Sequence, residues 1–518
     1  MNRTPMPYLF SIVLIGLLMV AGSCREDFEY RISSGHLEFS KDTVFLDTVF
    51  TNIGSSTYTL KVYNRSNDDI AIPFIGLENG QQSAYRLNVD GLAGKEFADI
   101  ALLAKDSLYI FIETTIDIEP LGENEFLYTD AIQFGNDGPQ QKVPLVTLVR
   151  DAIFLYPRQT ADGMAETLLL GLDEAGNEIR IEGFVLENDK LRFTSEKPYV
   201  IYGYAAVTEE NTLTIDAGAR VHFHKDSGIL VSAGATLQVN GLPSEDGALL
   251  ENEVIFEGDR LEPEFEDVAG QWGTIWLAEG SRASSITHLT IKNATVGILV
   301  EGGMNTIPPT LTLSNTQVYN SASTNLWARS SSITAANLVL GSAGETSLYC
   351  NLGGSYDFNH STIANYWNNG FRNGASVQID NFVALDSGEI LGADLISASF
   401  SNCIIDGNRS IELLLQQNGT NAFHYLFDHC SIQFEDFNTQ FADNPLYDFE
   451  NADFYQNVLL NANTDFLAPF NDDFRLGERS DAIDAGSLPT AMQIPLDLQG
   501  MDRTLAPDLG AYEYSYKN

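Results

Sequence analysis

Three carboxylates, Asp380, Asp406 and Asp428, stand near regularly recurring β-branched residues, with Tyr366, Trp367 and Tyr425 in the same stretch. Two carboxylates held about 5 to 9.5 Å apart can cleave a glycosidic bond, and aromatic rings beside them give a sugar a flat platform. The chain carries 71 Asp and Glu, however, so proximity between acids is cheap here. His222 and His224 in "VHFHK" alternate with apolar Val221 and Phe223, which directs both imidazoles outward on the same face of a strand. Such a pair holds a metal only if a third ligand arrives from elsewhere, and the sequence specifies none. The expectation is two solvent-facing histidines. Asp497, Arg503, Asp508 and Glu513 lie in an irregular C-terminal stretch, where pairing and turn hydrogen bonds account for them without catalysis. There is no GxSxG, no phosphate-binding or dinucleotide-binding loop, and no basic aromatic stripe for nucleic acid. No catalytic residue is assigned.

The formal charge is −43, from 28 Lys and Arg against 71 Asp and Glu. A surface this acidic repels nucleic acid, anionic headgroups and polyuronates unless a local basic patch or bound cations reverse the field. Proton abstraction beside a uronate needs a cation on the carboxylate and Arg or Lys near the ring. Residues 211–518 hold 12 Lys and Arg, and between 293 and 474 there are just Arg329, Arg372 and Arg409. A lyase is therefore disfavoured, with calcium the one cofactor that would rescue it.

The elements that position these residues repeat. Taking Ile291 as reference, β-branched residues follow at Val318, Val339, Ile363, Val383, Ile405 and Ile432, in steps of 27, 21, 24, 20, 22 and 27. Two positions earlier stand Leu289, Thr316, Asn337, Ser361, Asn381, Cys403 and Cys430, and five earlier Ile286, Leu313, Thr334, Phe358, Gln378, Phe400 and Phe427. A fixed inward column with variable steps is what stacked coils require, because insertions leave at turns while the sheet register stays pinned. Leucine-rich repeats would need several fixed Leu per unit, propeller blades about 40 residues, and helical repeats a 3.6-residue stripe. A parallel β-helix of roughly 11 coils remains for residues 197–465. Cys403 and Cys430 should then be stacked, unbonded thiols about 4.8 Å apart at Cα, with Cys350 independent of both.

Residues 35–152 read as about seven short strands, such as "TYTLKVYNRS" and "SLYIFIETTI", and so as a small β-sandwich. Residues 153–196 bridge it to the helix. Residues 466–518 break the period and are expected to fold as a cap over the last coil, the sandwich and bridge protecting the first. The fold class is all-β, a right-handed parallel β-helix preceded by a small β-sandwich. The opening "MNRTPMPYLFSIVLIGLLMVAGSC" has a basic start, an apolar run short for a bilayer span, and small residues before Cys24. It resembles the lipobox of bacterial lipoproteins, which implies a signal peptide over 1–23, acylation of Cys24 and a tether over 24–34. "REDFE" resembles the acidic tags of surface-exposed Bacteroidetes lipoproteins, and "VFTNIGSSTYTLKVYNRSNDDIAI" resembles immunoglobulin-like modules of bacterial envelope proteins.

"PYVIYG", "LTIDAGARVHF", "GQWGTIWL", "ITHLTIKNATVGILV" and the ending "SDAIDAG...DLQGMDR...PDLGAYEY" resemble the Bacteroidetes lipoprotein branch of the pectate-lyase-like β-helix superfamily. The resemblance covers most of residues 150–514. The "NTD...DD...HG" series of polygalacturonase-type hydrolases is missing. The expectation is an outer-membrane lipoprotein, on the cell surface or the periplasmic face, held in the bilayer through acylated Cys24. Its β-helix is expected to bind glycan or a surface protein, or to serve as an adhesive or structural rod, without catalysis. The alternative is a polysaccharide-degrading enzyme, a glycoside hydrolase ahead of a calcium-dependent lyase.

Overall fold

The computed structural model describes residues 30–33, 36–116, 125–135, 140–159, 163–173, 176–247, 249–303, 310–385 and 388–515. Cys24 and the leader expected before it lie outside these residues. The chain divides into two compact units, one ending at Arg150 and the other beginning at Asp151.

The first unit is a β-sandwich. One sheet orders the strands Arg31–Ile32, Ile70–Leu77, Glu125–Phe134, Gln141–Arg150 and Val44–Phe50, with Glu96–Leu102 also paired to Ile70–Leu77. The other orders Glu38–Phe39, Tyr58–Tyr63, Ser107–Thr114, Tyr85–Val89 and Leu92–Gly94. Period-two alternation builds the core between them: Leu108, Ile110 and Ile112 are buried while Tyr109 and Phe111 face out. Leu60, Val62, Tyr85 and Leu87 from this sheet pack with Ile72, Ile132, Val143 and Leu145 of the other.

The second unit is a right-handed parallel β-helix whose central coils each contribute a strand to three ladders. Ser284–Thr287, Leu289–Lys292 and Val296–Glu301 make one such coil. The second ladder runs from Ile153–Leu155 to Leu459–Leu460 with 11 rungs among the described residues, so parallel pairing starts inside the segment expected to be a bridge. Its inward column is Val221, Phe256, Ile291, Val318, Leu340, Ile363, Ile405 and Ile432. The first ladder stacks Ile286, Leu313, Ala335, Phe358, Phe400 and Phe427. Phe358, Phe400, Phe427 and Tyr455 form a continuous ring stack with centroids 5.1, 4.8 and 5.6 Å apart.

Two assignments of the repeat are corrected. Leu340, not Val339, continues the inward column; Val339 pairs with Gln317 and Thr362 on the outward side. Leu338 and Ala335 accordingly replace Asn337 and Thr334. Val383 is in no parallel rung, since Phe382–Ala384 pairs antiparallel with Ile390–Gly392 as a hairpin projecting from a coil that takes 42 residues to pass from Ile363 to Ile405. Gln378 lies on the third ladder, and the Asn381 amide donates to the carbonyls of Asn421 and Ala422.

The polar column exists one residue away. His288, Asn315, Asn337, His360, Asn402, His429 and Asn457 make the bend from first to second ladder, one per coil, all with φ between 46° and 55°. Asn tolerates this left-handed region better than other non-glycine residues because its short amide hydrogen-bonds locally. The Asn337 amide donates to Asn315 Oδ1 at 2.8 Å, and Asn402 Nδ2 lies 2.9 Å from His360 Nε2. Cys403 and Cys430 follow two of these bends in successive coils as free, buried thiols. Each donates to the carbonyl two residues before it and to a carbonyl of the preceding coil, Phe358 for Cys403 and Phe400 for Cys430. Cys350 lies on the third ladder, between Ala328 and Ile379.

The C-terminal stretch does not cover the last coil. It runs along the outward side of the second ladder, where Ala511 N donates to Thr362 Oγ1, Gly510 N to Asn402 O and Ser487 N to Asn402 Oδ1. The reason is an apolar outward strip: Tyr319, Val339 and Ala364 pack on Phe474, Ala511 and Tyr512, and Ile404 packs on Leu476, Ala482 and Leu509. The last coil is closed by aromatic residues within 434–458, with Phe441, Tyr447 and Phe449 gathered around Phe434. Tyr447 Oη accepts from Leu415 N at 2.8 Å and donates to Leu415 O at 3.3 Å, substituting a hydroxyl for the next strand of the third ladder.

Candidate functional site

The structure separates the acids and rings read from the sequence. Asp380 is on the third ladder, Asp406 on the second and Asp428 on the first, so they form no pair. Asp406 is buried, accepting from Thr464 Oγ1 at 2.5 Å and Tyr366 Oη at 3.2 Å, and burial raises its carboxyl above the usual range. Tyr366 packs against Phe466, Phe470 and Phe474, and buried Tyr425 donates to Leu446 O. Trp367 O accepts from Asn408 Nδ2. None of these is an open platform beside a carboxylate pair.

The histidine expectation is corrected at one position. His222 is buried, with Nδ1 3.2 Å from Gly258 O and 3.6 Å from Glu257 Oε1, because its outward side abuts the next rung. His224 lies past the strand end, stacked on Tyr202, with Nδ1 2.7 Å from Asp259 Oδ2. That hydrogen bond raises its pKa, against the effect of burial. Among the described residues no three His, Cys, Asp or Glu side chains converge as metal ligands. Arg503 is fully buried 3.4 Å from Glu513, with Asp497 and Asp508 bonded to surrounding backbone. These four hold the C-terminal strap in shape.

The third ladder carries what the sequence reading missed. Its strands place Trp276, Leu299, Trp327, Tyr349, Gln378 and Leu414 in one outward column, each opposite the next. The inward positions either side, such as Ile298 and Val300 or Leu326 and Ala328, belong to the core, so alternation forces this column out. Trp327 and Tyr349 stack with centroids 5.9 Å apart and planes within 16°. A signal was present: nine residues after Val318, Leu340 and Ile405 stand Trp327, Tyr349 and Leu414.

A polar column runs beside the stripe, two residues on. Glu301, Arg329, Asn351 and Asp380 occupy consecutive rungs. Glu301 accepts from Trp276 Nε1 at 2.9 Å and pairs with Arg329 at 3.1 Å. Asp380 accepts from Tyr349 Oη at 2.8 Å, Asn351 Nδ2 at 2.7 Å and Leu352 N at 3.0 Å. Burial raises its carboxyl, the three donors working against that shift. Burial and the neighbouring Asp380 push the Tyr349 phenol well above its ordinary value. These bonds orient the Trp276 and Tyr349 rings, and Trp327 stacks on the latter.

Along the stripe's edge lie two adjoining hollows. One of about 210 Å³ is lined by Glu279, Glu301, Gly302, Arg329, Ser330, Leu352, Leu391, Gly392 and Ala393. The other, of about 100 Å³, shares Ser330, Leu352, Gly392 and Ala393 and extends to Asp394, Ile396 and Asn421. The hairpin that displaced Val383 from the repeat thus forms a wall of the site.

No protein-family model and no curated protein sequence matches the chain. Among solved structures, 23% of the chain is similar to the ASH / PapD-like domain 7 of human CEP192, covering 86% of that chain at 10% identity with a TM-score of 0.15. A further 16%-identical similarity, to the E. coli chaperone DraB, spans 24% of this chain and 58% of that one with a TM-score of 0.16.

Proposed function

We propose that the chain is a cell-envelope lipoprotein, anchored through acylated Cys24, whose β-helix binds a glycan along the outward stripe of its third ladder without cleaving it. The observation that carries this reading is the row Trp276, Leu299, Trp327 and Tyr349, with Trp276 held by Glu301 and Tyr349 by Asp380, bordered by hollows with polar walls. Ring faces pack on the C–H faces of sugars, and carboxylate, amide and guanidinium groups beside them meet hydroxyls. Glu301 and Asp380 stand three rungs apart, about 14 Å at ~4.8 Å per rung. That exceeds the ~9.5 Å upper spacing for a hydrolytic pair. The resemblance to Bacteroidetes β-helix lipoproteins, and that of the sandwich to immunoglobulin-like envelope modules, support the envelope setting, with the sandwich as a spacer.

One observation favours the enzyme alternative: Glu279 and Glu301 line the same hollow with Arg329, leaving a place for two carboxylates around one glycosidic bond. A neutral-glycan array, with reducing-sugar release and unsaturated-product absorbance followed in parallel, separates the readings. The mature protein should retain a neutral glycan without turnover, and Trp327→Ala should weaken retention about tenfold or more. Turnover abolished by Glu301→Gln would establish the hydrolase instead. Retention unchanged in Trp327→Ala would remove the stripe from the site.

A further inference from the structure

The chain's acidity disfavours uronates except where basic side chains gather locally, and one face of the first unit gathers Lys61, Arg65 and Arg86 around exposed rings. On the outer face of its five-stranded sheet, pairing sets Lys61 opposite Tyr109 and places Thr59 and Asn88 on either side of Phe111. Tyr109 is 49% exposed and Phe111 41%. Their planes lie within 19° of each other, with centroids 6.3 Å apart. The Lys61 ammonium sits 5.0 Å from the Tyr109 ring and 5.4 Å from that of Tyr63, and the Arg65 guanidinium lies 4.2 Å from Tyr63. Arg86 enters from the strand on the other side, 3.1 Å from Thr115 Oγ1 and 3.9 Å from Glu113.

Two features identify the chemistry of an occupant. The first is charge: the whole chain has 28 basic against 71 acidic residues, whereas here, among the described residues, Lys61, Arg65 and Arg86 pair only with Glu38 and Glu113. Lys61 has no carboxylate partner among the described residues; its contacts are the two rings, which leave ammonium protons for an incoming anion. The second is shape: the rings rise from a flat sheet with cations around them, so a ligand lying on Phe111 is within reach of charged donors from both neighbouring strands. Bare polyanions need the charges and not the rings. Neutral sugars need the rings and not the charges.

We propose that this face binds a uronic-acid polysaccharide, a pyranose ring resting on Phe111 and Tyr109 and carboxylates met by Lys61 and Arg86. The site is independent of the groove on the β-helix. The test titrates full-length mature protein, in EDTA, with oligogalacturonides, neutral gluco-oligosaccharides and polyglutamate at low and moderate salt. Oligogalacturonide binding should weaken about tenfold or more in Phe111→Ala and in the double variant Lys61→Gln/Arg86→Gln, and should fall with salt. Trp327→Ala should leave it unchanged, so failure of the groove reading and failure of this one are distinguishable. All three substituted side chains are at the surface, and an unchanged thermal melt confirms that folding is retained. The proposal is overturned if wild type binds no oligogalacturonide, if Phe111→Ala binds it as tightly, if the charge variant is unaffected, or if polyglutamate binds equally well.

Discussion

Ile363 sits between Leu340 and Ile405 in the second ladder, fully buried, with no polar partner within the column. A charge there would lose its hydration with nothing to replace it, at a cost of several kcal/mol, and would part the coils on both sides. Ile363→Asp should therefore abolish the cooperative unfolding transition of the β-helix. Val339→Asp should behave differently although Val339 is equally buried, because its cover is the C-terminal strap and not the next coil. The strap can release to let the carboxylate reach water. Circular dichroism should retain the β signature of Val339→Asp while limited proteolysis trims the strap; loss of the ladder in this variant with an intact one in Ile363→Asp would reverse the register. The pair also explains why that register was only partly legible. Leu338, Val339 and Leu340 are consecutive apolar residues, and a period of two leaves two phases to choose between. The strap that buries the outward phase makes both look like core.

At the level of elements, the strap is held in shape by a buried charge cluster internal to it, whose protonation is expected to alter stability. Burial, then the nearby Asp508, raises the Glu513 carboxyl to about 7, while Arg503 pulls in the opposite direction. Asp497 and Asp508 are also raised, chiefly by burial. A carboxyl with a folded pKa above its unfolded value binds protons more tightly when folded, so its contribution is fully present below the ordinary range near 4.5 and is lost as pH rises through about 7. Wild type should melt a few degrees higher at pH 5.5 than at pH 8, for a difference of order 1 kcal/mol. Glu513→Gln should remove part of that dependence. A wild-type melting temperature that rises with pH, or a slope identical in the variant, would show that Glu513 does not carry this pH dependence. The strap's path was illegible in the sequence because its anchors, Thr362, Asn402 and Gln317, lie far away along the chain. The third-ladder stripe was hidden differently. Its rings are separated by whole coils of unequal length, whereas the β-branched residues that mark the repeat gather on the second ladder. The two-strand alternation of the sandwich and the parallel coils were legible because both write their period into adjacent residues.

At the scale of the whole molecule, the charge of −43 sets how the chain can meet a membrane. Anionic headgroups repel it, so surface attraction cannot hold it there. Among the described residues, no helix is long and apolar enough to cross a bilayer. The strap covers the apolar outward strip of the second ladder, and the outward stripe of the third, Trp276, Leu299, Trp327 and Tyr349, is a narrow column bordered by Glu301, Arg329 and Asp380. On the proposed reading attachment is through Cys24, where two or more acyl chains would each add about 0.8 kcal/mol per buried methylene. Because Cys24 stands in the sequence before the first described strand, Arg31–Ile32, replacing its thiol is expected to change location without changing the described fold. Cys24→Ser should leave the thermal melt of the body unaltered and move the protein from the membrane pellet to the soluble fraction, with loss of metabolic labelling by a fatty-acid analogue. Retention of Cys24→Ser in washed membranes would require another anchor, and an unlabelled wild type would reject acylation directly.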